Sequence, residues 1–217
     1  MAFWRDAARR ATATDGLQSA AAYFLAQGAL NRALIGDCVG ALELTHAAQS
    51  QPQGVRATFS AGVAAGLCGE HELADRAATT LGTDYPRSTS VNGYYLPDLR
   101  AAIALGGGDP DAAIEALKPG RQYDSISLTP YLRGVAHVAL RQVQIGIVDF
   151  QTMLSHRGTA FLGESDVYPV AQIAVARAFA DAGDATSSMG AYRKFLDLWK
   201  NGDVDQPLMV EAQIHSQ

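Results

Sequence analysis

The stretch Ala29-Leu30-Asn31-Arg32-Ala33-Leu34-Ile35-Gly36-Asp37-Cys38-Val39-Gly40-Ala41 decides the fold. It sets a Gly-Asp pair between two helix-forming runs, with one small residue ahead of the pair and another behind it. Glycine ends a helix because it takes left-handed backbone without a Cβ clash, and aspartate opens the next helix as an N-cap. The same punctuation returns at Gly69-Glu70, Gly108-Asp109 and Gly183-Asp184, and in phase at Arg141-Gln142, where the glycine is missing. The spacings between these turns are 33, 39, 33 and 42 residues. They describe a unit of about 33–34 residues, twice lengthened by loops.

Residues that did not set the phase support it. Seven positions before the turns stand Ala29, Gly62, Ala101, Gly134 and Ala176; five positions after stand Ala41, Ala74, Ala113, Gly146 and Ser188. All ten are small, as two antiparallel helices crossing at short range require. Nine positions after the fourth and fifth turns come Phe150 and Tyr192, large enough to fill the space beside such small residues. The periodicity predicts helix pairs at 17–35 with 38–50, 55–68 with 71–82, 94–106 with 110–118, 129–140 with 143–156, and 168–182 with 185–200. The corresponding repeats run 17–53, 54–93, 94–128, 129–167 and 168–204, in a single repeat domain over 1–217. A helix at 2–13 precedes them and a capping helix at 206–215 follows. The first matches the second helix of a preceding repeat, so it is either an N-terminal cap or the start of a fragment from a longer protein, the favoured reading.

Composition agrees with closely packed helices. The chain has 39 alanines in 217 residues, and alanine is the best helix former and the smallest side chain that keeps helical order. The net charge is −5 and charged residues make up only 18%, which argues against nucleic-acid binding as the main task. No apolar run is long enough to span a membrane. The two cysteines exclude a disulfide scaffold or a four-cysteine zinc site. Cys38 begins one helix and Cys68 ends the next, so antiparallel packing allows the two thiols to be neighbours without deciding that they are. Two free thiols are nonetheless expected, buried free cysteine being the commoner state.

The Gly-Asp turns, the paired small positions and Pro86 after its turn resemble the tetratricopeptide repeat (TPR) family. The chain departs from that pattern at Thr45, Ala78 and Leu117, which stand where the second-helix aromatic is usual. The resemblance implies an all-α fold, a right-handed antiparallel helix-pair solenoid of about five pairs plus terminal helices. Three further segments resemble the C-terminal repeat region of bacterial, acidobacterial-type serine/threonine kinases and winged-helix regulators. These are Tyr94–Arg100, the run from Tyr131-Leu132-Arg133-Gly134 through Phe150–Gly158, and Ala191–Lys200. This implies a non-catalytic interaction or sensory module of a larger signalling protein.

The chain lacks the kinase's glycine-rich loop, its lysine-bearing strand, its His-Arg-Asp loop and its Asp-Phe-Gly triplet. Gly106-Gly107-Gly108-Asp109-Pro110 joins two helices without a following Lys-Ser/Thr and reads as a helix terminator. The five histidines are scattered and suit structural or surface roles, and the acids suit capping. No catalytic residue, metal site or cofactor is expected. In this architecture the first helix of each pair lines a concave groove. Ten, thirteen and six residues before the turns, the positions of interest are Tyr23, Arg56, Phe59, Tyr95, Asp98, Tyr131 and Arg177. These are the candidate contacts for a protein or peptide partner, aromatic with a few polar handles. The alternative is a ligand-binding or enzymatic helical domain with a site in the same groove. The expected compartment is the cytoplasm, or a periplasmic or extracellular one if the module sits beyond a membrane anchor.

Overall fold

The computed structural model describes residues 2–14, 17–156, 167–200 and 206–217. Among them every regular element is helical, and the chain divides into two compact units, 1–120 and 121–217. Unit 1 holds α1 (Ala2–Thr12), α2 (Gln18–Leu34), α3 (Cys38–Gln49), α4 (Val55–Leu67), α5 (His71–Asp84), α6 (Leu96–Gly106) and α7 (Pro110–Leu117). Unit 2 holds α8 (Thr129–Ala139), α9 (Val143–Ser155), α10 (Val167–Asp181), α11 (Ala185–Leu198) and α12 (Pro207–His215). The loop 157–167, apart from Val167, and the repeat end at 201–204 lie outside the described residues.

Each helix pair is made by one recurring turn. Gly36, Gly69, Gly108 and Gly183 all stand in left-handed backbone, with φ between 77° and 84°. Arg141, the in-phase residue without the glycine, takes the same conformation at φ 62°. At all five turns the next residue's N–H returns to a carbonyl five positions back: Asp37 to Arg32, Glu70 to Ala65, Asp109 to Ala104, Gln142 to His137 and Asp184 to Phe179, each 2.9 Å. This closes the end of the first helix. Asp37, Asp109 and Asp184 then accept from the backbone N–H groups of Gly40, Ala112 and Ser187, opening the second. Glu70 and Gln142 make no such side-chain bond.

The ten small positions are all buried. In the fourth pair a Cβ at Gly146 would lie 3.0 Å from the Gly134 carbonyl oxygen, and in the fifth Ser188 Oγ donates to the Ala176 carbonyl at 2.9 Å. A Cβ at Gly134 would meet the Phe150 ring at 2.5 Å, so the aromatic does fill the space that glycine leaves. In unit 1 the core is largely alanine: Ala22, Ala26, Ala29, Ala41, Ala61 and Ala64 pack with Leu25 and Leu44.

The structure departs from the sequence-based expectation in four places. The third pair's first helix starts early, as a π-helical turn over Val91–Tyr95 that runs into α6. The connection after α7 is not all loop: a 3₁₀ helix occupies Lys118–Tyr123. Gly106 is more than a terminator, because α4 and α6 approach so closely there that a Cβ would collide with the Gly66 carbonyl. Cys38 and Cys68 are not free thiols but a disulfide, with Cα atoms 5.4 Å apart. The turn after α2 and the turn after α4 place the start of α3 beside the end of α4 within the reach of a bridge.

Candidate functional site

The first helices α2, α4 and α6 of unit 1 pack side by side and carry an aromatic row. Tyr23 on α2 lies against Phe24, ring centroids 5.9 Å apart, and the Arg56 guanidinium of α4 sits over the Tyr23 ring at 5.3 Å. The next turn of α4 presents Phe59, tilted against Tyr95 with centroids 4.4 Å apart, and Tyr94 packs edge-on to Tyr95 at 4.5 Å. Phe59 and Tyr95 are buried, so they form the floor of the row; Tyr23 and Tyr94 are partly exposed and Arg56 is exposed at its rim. Asp98, read from the sequence as an accessible polar handle, is 0% exposed on α6.

Unit 2 gathers the other two candidates differently. Tyr131 of α8 is buried against Phe150 at 5.9 Å, and burial pushes its hydroxyl up to about 12, only partly offset by the Arg177 charge. Arg177 on α10 makes two hydrogen bonds to the Glu211 carboxylate of α12, at 2.8 and 2.5 Å. The Tyr192 hydroxyl donates to the same carboxylate at 2.9 Å, and the Tyr192 ring stacks on His215 at 5.4 Å. The Arg177 hydrogen bonds hold the Glu211 carboxyl below its usual range, while burial first and the Glu211 bond second push Tyr192 up to about 12. Arg177 thus anchors the C-terminal helix.

One buried polar cluster escaped the sequence reading altogether. Arg133 on α8 reaches Asp149 on α9 at 2.6 Å and grips both oxygens of Asp124 at 3.1 and 2.9 Å. Asp149 also meets His137 Nδ1 at 2.7 Å. Asp149 stands in mid-helix, away from any capping position, and is buried. An acid at the second-helix position that faces Arg133 and His137, four apart on the first, was the available signal. Mutual satisfaction makes the cluster a cross-link between α8, α9 and the preceding connection.

Among the described residues no group of three His, Cys, Asp or Glu could hold a metal ion, and no helix is long and apolar enough to cross a membrane. No family model matches the chain, and no curated protein matches it. A solved structure does: a thermophilic TPR protein of Thermus thermophilus, TM-score 0.56, at 19% identity, over 88% of this chain and 98% of that one. At that identity the likeness speaks for the fold, an all-α array of TPR-like helix pairs.

Proposed function

We propose that the chain is a non-catalytic protein-interaction module whose contact surface in unit 1 is the row Tyr23, Arg56, Phe59, Tyr94 and Tyr95. The observation that carries this reading is the pairing of a buried aromatic floor with an accessible rim that ends in a cation over a ring. Rigid aromatic side chains supply contact area at small entropic cost, and arginine and tyrosine are the residues that dominate interface energetics. The partner that fits is an extended peptide with apolar side chains for the floor and an acid for Arg56. Asp98 belongs to this surface as a buried support; in unit 2, by itself, Tyr131 is buried against Phe150 and Arg177 is a cation for which an acidic partner competes with Glu211.

The proposal includes a parent protein. The resemblance of Tyr94–Arg100 and Ala191–Lys200 to repeat regions of bacterial kinases and winged-helix regulators favours a signalling or regulatory context, with 1–217 as one repeat domain of it. The disulfide favours an oxidising compartment over the cytoplasm for this module.

Peptides selected from a displayed random library on the full chain test the surface. Tyr23→Ala and Arg56→Gln should each weaken the selected binders about tenfold, roughly 1.4 kcal/mol, with circular dichroism unchanged. Binders that bind both variants as tightly as the parent chain would place the contact surface elsewhere.

A further inference from the structure

A cavity of about 170 Å³ lies between α3, α4 and α5, bordered by the connection that carries Gln53. Its origin is in the repeat register. Thr45 occupies, in the first pair, the position that Phe150 and Tyr192 occupy in the fourth and fifth. Phe150 fills the space beside Gly134, whereas the shorter Thr45 lines an open cavity together with Ala61 and Gly62 of α4.

The lining is polar. Thr45 is 1% exposed and its hydroxyl oxygen has no hydrogen-bond partner among the described residues. Gln53 Oε1 accepts from the Thr58 hydroxyl at 3.3 Å, which leaves Nε2 as the remaining donor, and Nε2 is also buried without a partner among the described residues. Two unsatisfied polar groups in one cavity carry a desolvation cost that a ligand with matching groups removes. At the mouth stand Gln49, Thr80 and Arg76, all exposed. Among the described residues Arg76 is the only charged one in the lining, and its contact with Glu72 is a loose 3.7 Å between exposed side chains. The cavity therefore offers donors and one positive charge, and no carboxylate to welcome a cation.

We propose that this cavity binds a small carboxylate, held by the Thr45 hydroxyl, the Gln53 amide and the Arg76 guanidinium. At about 30 Å³ per water in the liquid, the volume corresponds to roughly six waters, well below the roughly 300–1,000 Å³ of sites for drug-sized ligands. That limits the ligand to a few heavy atoms, in the range of acetate or lactate. The site is separate from the aromatic row of α2, α4 and α6, so the two readings stand or fall independently.

The test uses the full chain, with sodium acetate and sodium lactate as probes, and sodium chloride and acetamide as controls at matched concentration. A ligand that binds only the folded state raises Tm in a saturable way. Acetate or lactate should do so with a Kd in the millimolar range, while acetamide and chloride should be at least tenfold weaker. Thr45→Val and Arg76→Gln should each weaken carboxylate binding at least fivefold by calorimetric titration. Thr45→Phe, whose ring takes up cavity volume, should abolish binding. Equal shifts from acetamide and acetate overturn the assignment, as does the absence of any carboxylate effect, which would leave water as the occupant. Should Thr45→Phe fail to fold, Thr45→Val decides: unchanged acetate binding in that variant overturns the proposal.

Discussion

At the scale of single residues, the chain spends strain at one place where four homologous positions spend none. Arg141 holds the left-handed conformation that Gly36, Gly69, Gly108 and Gly183 hold without a Cβ. A non-glycine residue there carries about 1–2 kcal/mol of steric cost. Replacing it by glycine removes that cost but adds unfolded-state entropy of roughly 0.5–1 kcal/mol. The relief outweighs the entropy, so Arg141→Gly should stabilise unit 2 by about 0.5–1 kcal/mol, visible as a higher denaturation midpoint with unchanged slope. A lower midpoint would mean that the Arg141 side chain contributes contacts worth more than the strain. Gly134 makes the opposite point: its missing Cβ is already occupied by the Phe150 ring.

At the scale of elements, the alanine-rich core of unit 1 brings helices close but buries little apolar surface per side chain. Hydrophobic stabilisation scales with that area, at about 25 cal/mol per Å². The Cys38–Cys68 bridge, spanning 30 residues, ties the start of α3 to the end of α4. By the chain-entropy relation a loop of that length contributes about 3–4 kcal/mol. Cys38→Ser paired with Cys68→Ser should lower stability by that order. Thiol titration of the denatured, non-reduced chain should find no free thiol, and two free thiols would show that the bridge does not form. The cross-link from Arg133 to Asp124 and Asp149 has a comparable role in unit 2, through charge instead of covalency.

For the molecule as a whole, pH sets limits at both ends, and unit 2 contributes to both through Glu211, Tyr131 and Tyr192. The Glu211 carboxyl is held below its ordinary value of 4.5 by Arg177. Its contribution is therefore present above pH 4.5 and lost as the pH falls through the lowered value, because the unfolded chain takes up the proton first. Tyr131 and Tyr192 are raised from 10.0 to about 12. Below pH 10 they cost nothing; between 10 and 12 the unfolded chain ionises first and stability declines. Denaturation midpoints measured across pH should fall at both extremes. Glu211→Gln should flatten the acid side and leave the alkaline decline in place, whereas an unchanged acid limb would assign that loss to other carboxylates.

What the sequence by itself determined is what a few neighbouring residues decide. The turns, the caps at Asp37, Asp109 and Asp184, and the small positions from Ala29 to Ser188 are local choices between left-handed glycine, side-chain capping and short helix crossings. They are legible at a spacing of a few residues, and they carry the helix boundaries and the TPR-like pairing with them. Of the site, the same periodicity located Tyr23, Arg56, Phe59 and Tyr95 on adjoining first helices, but not which of them would be floor and which rim. The partners of the remaining side chains lie farther along the chain: Cys38 with Cys68 across 30 residues, Arg177 with Glu211 across 34, Arg133 with Asp149 across 16. Tertiary packing alone decided these contacts, together with the burial of Asp98 and the cavity beside Thr45. Burial and side-chain pairing depend on which helix faces which, and a one-dimensional period fixes the spacing of helices but not the rotation of each about its own axis.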